Sequence, residues 1–259
     1  MNSTGSINFG NWIRKRVVFY MGTGALCFLS AGTALQLVEL KWVGVPLSVL
    51  GFLLSMFTVF LVYLFWQFSK GGYQQKMWQQ TLEHCQPKPG DCVLDIGTGN
   101  GAIAIQLAIL YPKITVHAID LWAPDWEYSQ ASCELNATLS GVRDRTHFTQ
   151  ASASKLPYSN SKFDWVVSHF VFHEVGDIDD KKLLIAEALR VLKPGGRFVF
   201  HDMFLSNRHY GSEKNLENYL NALDIEAFDL TNTLNGINAP ILLRQKKVFG
   251  CCATLTGEK

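Results

Sequence analysis

No charged residue occurs from Val17 to Val38, a run of 22, nor from Trp42 to Ser69, a run of 28, and only Glu39, Leu40 and Lys41 separate the two. A helix that crosses a bilayer needs ~20 mostly apolar residues, so each run is long enough. The second is rich in Leu, Val and Phe and closes with Tyr63, Trp66 and Phe68, aromatic side chains suited to the headgroup level. The first is diluted by Gly22, Gly24, Ser30, Gly32, Thr33 and Gln36, and small residues of this kind let two membrane helices approach closely. Arg14, Lys15 and Arg16 precede the pair and Lys70 and Lys76 follow it, which puts both ends in the cytoplasm by the positive-inside rule. The expectation is a two-pass integral membrane protein in contact with the lipid bilayer. It has a cytoplasmic tail over 1–16, two transmembrane helices at about 17–38 and 43–66, a linker helix over 70–90, and a further domain over 91–259 on the cytoplasmic side. The other reading of the first run is a secretory signal cleaved near Ala34, after which the second run would still anchor the chain.

The rest of the composition is balanced. With 23 basic against 22 acidic residues the formal charge is +1, which argues against nucleic-acid phosphate as a main partner. Six cysteines (Cys27, Cys85, Cys92, Cys133, Cys251, Cys252) form no CxxC pair, so neither a zinc site nor a disulfide framework is expected. Cys251-Cys252 read as residues of a strand at the chain end. In a cytosolic domain the Asn136 sequon stays unmodified.

After the apolar runs, Gly71-Gly72 breaks the helix, and a polar helix bearing Tyr73, Met77, Trp78 and Leu82 leads to the turn Pro87-Lys88-Pro89-Gly90. Strand and helix then alternate: strands at 91–96, 114–119, 147–150, 163–168 and 197–201, helices at 101–110, 125–139 and 181–192. The turn Lys193-Pro194-Gly195-Gly196 ends the last of these helices. A helix over 215–227 and closing strands at 228–231 and 247–255 complete the chain. Such alternation is the pattern of an α/β fold with a mostly parallel sheet covered by helices.

The first strand runs into VLDIGTGNGA, with Asp95, Gly97, Thr98, Gly99, Asn100 and Gly101 at a strand-to-helix turn. Glycine is needed where backbone approaches a ligand closely or takes positive φ, so this is a nucleotide-cofactor turn. Gly97, Gly99 and Ala102 also satisfy a dinucleotide fingerprint, and Asp120 lies at the distance expected of its ribose-binding acid. The glycines alone therefore leave a nicotinamide cofactor open. Asp95 weighs the other way, because a carboxylate two residues before the first glycine repels a pyrophosphate and suits a cationic ammonium group.

The chain resembles the class I S-adenosylmethionine-dependent methyltransferases, in particular the ubiquinone/menaquinone and small-molecule group. The matching stretches are VLDIGTGNG at 93–101, VHAIDLW at 116–122, QASASKLPYSNSKFDWVVSHFVFHEV at 150–175 and EALRVLKPGGRFVFHD at 187–202. The resemblance implies a Rossmann-like, mostly parallel seven-stranded sheet with helices on both faces, here preceded by a transmembrane helical hairpin, and S-adenosylmethionine as cofactor. It implies that Asp95, Gly97, Thr98, Gly99, Asn100 and Gly101 hold the methionine part, that Asp120 holds the ribose hydroxyls, and that Leu121 lies against the adenine. Ser168 and His169 fall at the reactive end. Where the family commonly has Asp before Ala to receive the adenine amino group, this chain has Ser152-Ala153, a weaker acceptor.

If the acceptor must lose a proton, His169, His173, Glu174, His201 and Asp202 stand near the ends of strands four and five, with His173 the favoured base. Trp122 and Trp126 either cover the adenine or pack. The expected function is a membrane-anchored S-adenosylmethionine-dependent methyltransferase acting on a small-molecule acceptor, hydrophobic or lipid, without a metal. A non-catalytic S-adenosylmethionine-binding membrane protein and a nicotinamide-dependent oxidoreductase are the alternatives.

Overall fold

The computed structural model describes residues 6–10, 15–70, 72–124, 127–241, 243–246 and 248–259. Contacts divide the described residues into two units, one built on the apolar runs and one α/β unit that takes in 6–10, the described residues from 75 to 124 and those from 128 to 259.

In the first unit α1 (Lys15–Leu37) and α2 (Lys41–Lys70) form a helical hairpin. Its interior is made by small residues. A β-carbon on Gly32 would lie 2.8 Å from Gly44 O and 2.5 Å from Ser48 N, and one on Gly51 would lie 2.6 Å from Leu29 N. Gln36 Nε2 donates to Gly44 O and Ser48 Oγ across this seam, at 3.3 and 2.8 Å. The large apolar side chains, among them Phe19, Leu26, Phe52, Leu53 and Val59, face outward and are exposed. Segments Val18–Leu37 and Lys41–Leu64 are long and apolar enough to cross a membrane.

The α/β unit carries a seven-stranded sheet in the order β3-β2-β1-β4-β5-β7-β6. The strands are β1 (Cys92–Ile96), β2 (Thr115–Asp120), β3 (Thr146–Gln150), β4 (Phe163–His169), β5 (Leu192–Asp202), β6 (Ala227–Asn232) and β7 (Ala253–Glu258). The first five pair in parallel; β7 runs antiparallel to both β5 and β6, so the sheet is mixed at that edge. Helices α4 (Ala102–Leu110), α5 (Gln130–Leu139) and α6 (Lys182–Val191) make the crossovers. The strand order reverses between β1 and β4, so right-handed crossovers put α4 and α5 on one face and α6 on the other. With both faces covered, β1 and β4 are apolar almost throughout: Leu94, Ile96, Phe163 and Val166 join Phe198, Phe200 and Leu189 in the core. The crevice at that reversal is where such sheets receive ligands.

Several boundaries differ from the sequence expectation. The 70–90 segment is more than a linker: α3 (Tyr73–Glu83) buries Met77, Trp78 and Leu82. Residues 8–10, expected to be tail, are bonded to the α/β unit. Helix α5 starts at Gln130 because the Ser129 hydroxyl caps it, accepting from Ser132 N. Lys193–Gly196 lies inside β5, where the pairing jumps from Phe163↔Leu192 to Trp165↔Arg197, a bulge with Gly195 at φ +72°. After the short helix α7 (Asn207–Tyr210), α8 (Glu213–Asn221) is shorter than expected. The last strand starts at Ala253, so Cys251 and Cys252 precede it, both buried.

Candidate active site

The turn from β1 into α4 has Gly97, Gly99 and Gly101 at φ +74°, +59° and +87°, backbone that disfavours any β-carbon. Its N–H groups are used within the protein. Gly97 and Thr98 donate to Ile119 O at 2.8 and 2.9 Å, Gly101 to Thr98 O at 2.8 Å, and Gly99 to Asp120 Oδ2 at 2.8 Å. Asp95 is buried behind the turn and accepts from Ala104 N, in the first turn of α4, at 3.2 Å. Burial pushes its carboxyl up to about 7, opposed by the Thr98 hydroxyl and the Ala104 N–H. A carboxylate thus already occupies the positive end of α4, the place a dinucleotide needs for its pyrophosphate.

Asp120, at the end of β2, accepts from Gly99 N on Oδ2 and from Trp122 N on Oδ1, both at 2.8 Å. Each oxygen keeps a further lone pair, the complement of two neighbouring hydroxyl groups. These residues fit a ribose-bearing cofactor whose other end is cationic. Burial raises the Asp120 carboxyl above its ordinary value, offset by the backbone donors. Trp122 (φ +45°) folds back so that its indole N–H donates to Gly99 O at 2.8 Å. Trp126 lies outside the described residues.

The glycines are also needed for packing. A β-carbon on Gly97 would lie 2.2 Å from Val171 Cγ2, and one on Gly101 would lie 2.8 Å from Ile105 Cδ1. A β-carbon on Gly99 would lie 3.6 Å from Tyr128 Cδ2, ordinary contact with the ring. The Asn100 side chain is directed to protein partners, accepting from Ser129 N at 3.2 Å and donating to Asn8 O at 3.4 Å. Leu121 is exposed, and its carbonyl accepts from Gln150 Nε2 at 2.8 Å.

Ala153 is buried in the core, and Ser152 meets a carboxylate that sequence reading did not supply: its hydroxyl donates to Asp177 Oδ2 at 2.7 Å, as does Ser154 Oγ. These two hydroxyls hold Asp177 below the usual carboxylate range. Nothing in the spacing of 152 and 177 signals this pairing.

At the ends of β4 and β5 the histidines divide. Ser168 Oγ donates to Ile96 O at 3.1 Å, tying β4 to β1. His169 Nδ1 lies 2.7 Å from Thr81 Oγ of α3, and its ring lies 4.5 Å from that of His201. Burial holds both neutral, His201 down to about 4 and His169 well below the ordinary imidazole value, so both are weak bases. His173, on a 3₁₀ turn over Phe172–Glu174, is different: its Nδ1 lies 2.6 Å from Oδ1 of buried Asp202, whose Oδ2 accepts from His173 N at 3.2 Å. Burial by itself would lower the imidazole, but the Asp202 charge and hydrogen bond, with Glu174, raise it above its ordinary value. Asp202 in turn is held low, against burial, chiefly by His173. The carboxylate only accepts, so Nδ1 carries the hydrogen and Nε2 is the basic nitrogen.

His173 lines a cavity of about 490 Å³ together with Phe170, Glu174, Met203, Arg208, His209 and Phe249. Phe170 is held at φ +62° by a bond from its N–H to His201 O at 2.7 Å, strained backbone of the kind that marks functional sites. No group of three or more His, Cys, Asp or Glu suited to a metal occurs among the described residues.

Residues 94–200 match a family model described as a methyltransferase domain. Among relatives, a ubiquinone/menaquinone biosynthesis C-methyltransferase of Saccharophagus degradans is 33% identical over 130 residues, 49% of each chain. The 27-O-demethylrifamycin SV methyltransferase of Amycolatopsis mediterranei is 33% identical over 133 residues, 50% of this chain and 45% of its own. The chain spans about half the length of the curated relatives it matches. Among solved structures, geranyl diphosphate C-methyltransferase from Streptomyces coelicolor, with S-adenosyl-L-homocysteine bound, superposes with a TM-score of 0.56. The identity there is 12%, over 71% of this chain and 79% of that one, a likeness of fold. Residues 94–200 are a methyltransferase domain of the S-adenosylmethionine-dependent kind.

Proposed function

We propose that this chain is a membrane-anchored methyltransferase that transfers a methyl group from S-adenosylmethionine to a hydrophobic small molecule or lipid, with His173 as the base that relieves the acceptor of its proton. The single observation that carries the reading is the His173–Asp202 pair, 2.6 Å apart, on the wall of a cavity at the ends of β4 and β5. S-adenosylmethionine, when bound, supplies a methyl group already activated for in-line displacement. Asp120 would hold its ribose hydroxyls, and Asp95 would sit behind the glycine turn near its cationic end. Asp202 keeps Nδ1 protonated and the ring oriented, so Nε2 takes a proton from a hydroxyl placed in the cavity. Phe170, Met203 and Phe249 offer that acceptor an apolar wall.

The anchoring part of the reading is supported by the outward-facing apolar side chains of α1 and α2. Anchoring confines the enzyme to a surface and raises its encounter with a lipid-soluble acceptor. Two of the relatives are named for quinone biosynthesis and for a demethylrifamycin, which agrees with a small-molecule acceptor. The test is methyl transfer from labelled cofactor into a membrane lipid extract by the full chain in vesicles. Label in an extractable lipid is the expected result; label only in protein removes the lipid acceptor.

A further inference from the structure

The glycine turn is covered from outside the sheet by a segment that precedes the first apolar run. The peptide of Asn8 is clasped by a side-chain amide: Asn8 N–H donates to Asn136 Oδ1 at 3.1 Å, and Asn136 Nδ2 donates back to Asn8 O at 3.0 Å. The same Asn136 Nδ2 donates to Asn100 O at 3.0 Å, and Asn100 Nδ2 reaches Asn8 O at 3.4 Å. Asn136 is buried, so the sequon it heads is inaccessible and its amide serves this clasp. Asn8 Oδ1 accepts from Gly10 N at 2.9 Å, which turns the chain at Gly10 with φ +71°. Phe9 meets Trp78 edge to face, with ring centroids 6.0 Å apart.

This turn presses on Tyr128. A β-carbon on Gly10 would lie 2.8 Å from Tyr128 Cε1, and one on Gly99 would lie 3.6 Å from Cδ2 and Cε2 on the other edge of the same ring. The order is therefore strap, tyrosine ring, glycine turn. A ligand lying against Gly99 would meet the Tyr128 ring, which Gly10 backs on its other edge.

We propose that Asn8–Gly10 form an outer wall of the cofactor site, latched by Asn136, and that cofactor exchange requires this latch to open. The inference rests on the cofactor reading above and adds to it the residues that retain the cofactor. Asn136 is a positioning residue, since it acts through the strap and Tyr128. The latch is a small set of hydrogen bonds at an exposed segment, which suits an element that opens and closes.

The experiment uses the full chain in nanodiscs and follows binding and dissociation of S-adenosylhomocysteine by calorimetry and stopped-flow fluorescence. Asn136→Leu removes the clasp, and Gly10→Val forces a side chain into Tyr128 while leaving every buried residue in place. The expected result is dissociation at least tenfold faster in both variants, with a smaller change in association. Dissociation within twofold of wild type in a folded Gly10→Val overturns the latch, as does an Asn136→Leu that loses thermal stability without ligand but dissociates normally. A wild-type chain that fails to bind S-adenosylhomocysteine overturns the cofactor reading and the latch together, so the two failures are distinguishable.

Discussion

Three carboxylates stand at or near the ends of β1, β2 and β5, and those of β1 and β2 are held differently from that of β5. At β1 and β2, Asp95 and Asp120 accept from main-chain N–H groups of Ala104, Gly99 and Trp122. At β5, Asp202 also accepts from the N–H groups of His173 and Met203, but its closest side-chain partner is the His173 ring. The N–H donors of the first pair cannot titrate, and although burial raises both carboxyls, Asp95 to about 7, these donors oppose the rise. A histidine donor does titrate, and the second pair can accept and release a proton near neutral pH. In the function proposed above, the first pair serves binding and the second proton transfer, on opposite sides of the point where the strand order reverses.

The sharpest way to break this comparison is to remove the titrating side. His173→Ala is expected to lower kcat by about 10²–10⁴-fold, the range for loss of a positioned base, while S-adenosylhomocysteine affinity by calorimetry stays at the wild-type value. A variant that keeps kcat would mean that the acceptor needs no base. Asp120→Ala acts on the other side. Two hydrogen bonds to a charged group contribute roughly 1.5–3 kcal/mol each, so cofactor affinity should fall by about 10²-fold or more, measured by the same calorimetry. If kcat fell and affinity held, the division between the two ends would be wrong.

The strand-helix alternation and the positions of β1, β2, β4 and β5 along the chain were legible in the sequence because apolar periodicity and glycine placement are local properties. The same alternation puts Asp95 and Asp120 on β1 and β2 and His173 just after β4. What the sequence did not contain was pairing across loops. Ser152 alone looks like the loss of a carboxylate, and only the folded loop brings Asp177 to it. Asn136 reads as a sequon, and nothing in its surroundings announces Asn8, 128 residues away. The closing strand was placed early, on Cys251-Cys252, because an apolar stretch marks burial without marking strand register.

A smaller effect sharpens the titrating side. With the His173 imidazole raised above its ordinary value by Asp202 and Glu174, the rate should climb with pH through a midpoint above the usual imidazole range, as the base form appears. The same raised value links to stability: the contribution of the pair is fully present below the unfolded imidazole pKa and is lost as pH rises through the folded one. Asp202→Asn removes the principal raising cause and leaves burial, which lowers the imidazole. The midpoint of kcat/KM against pH is expected to move down, with a rate loss no larger than that of His173→Ala. A midpoint that stays in place would assign the limb to a group other than His173.

The smallest expected effect lies at Ser152. Its hydroxyl shares Asp177 Oδ2 with Ser154, both at 2.7 Å, and Asp177 is exposed, so water replaces much of what Ser152→Ala removes. S-adenosylhomocysteine affinity should change by no more than about threefold, since a single exposed hydrogen bond contributes roughly 0.5 kcal/mol. The double variant Ser152→Ala, Asp177→Ala separates two cases. If it too stays within a few-fold, the binding surface ends at Asp120. A tenfold loss in the double variant alone would extend that surface to Asp177, a carboxylate brought in from the far side of β4 and held by hydroxyl groups.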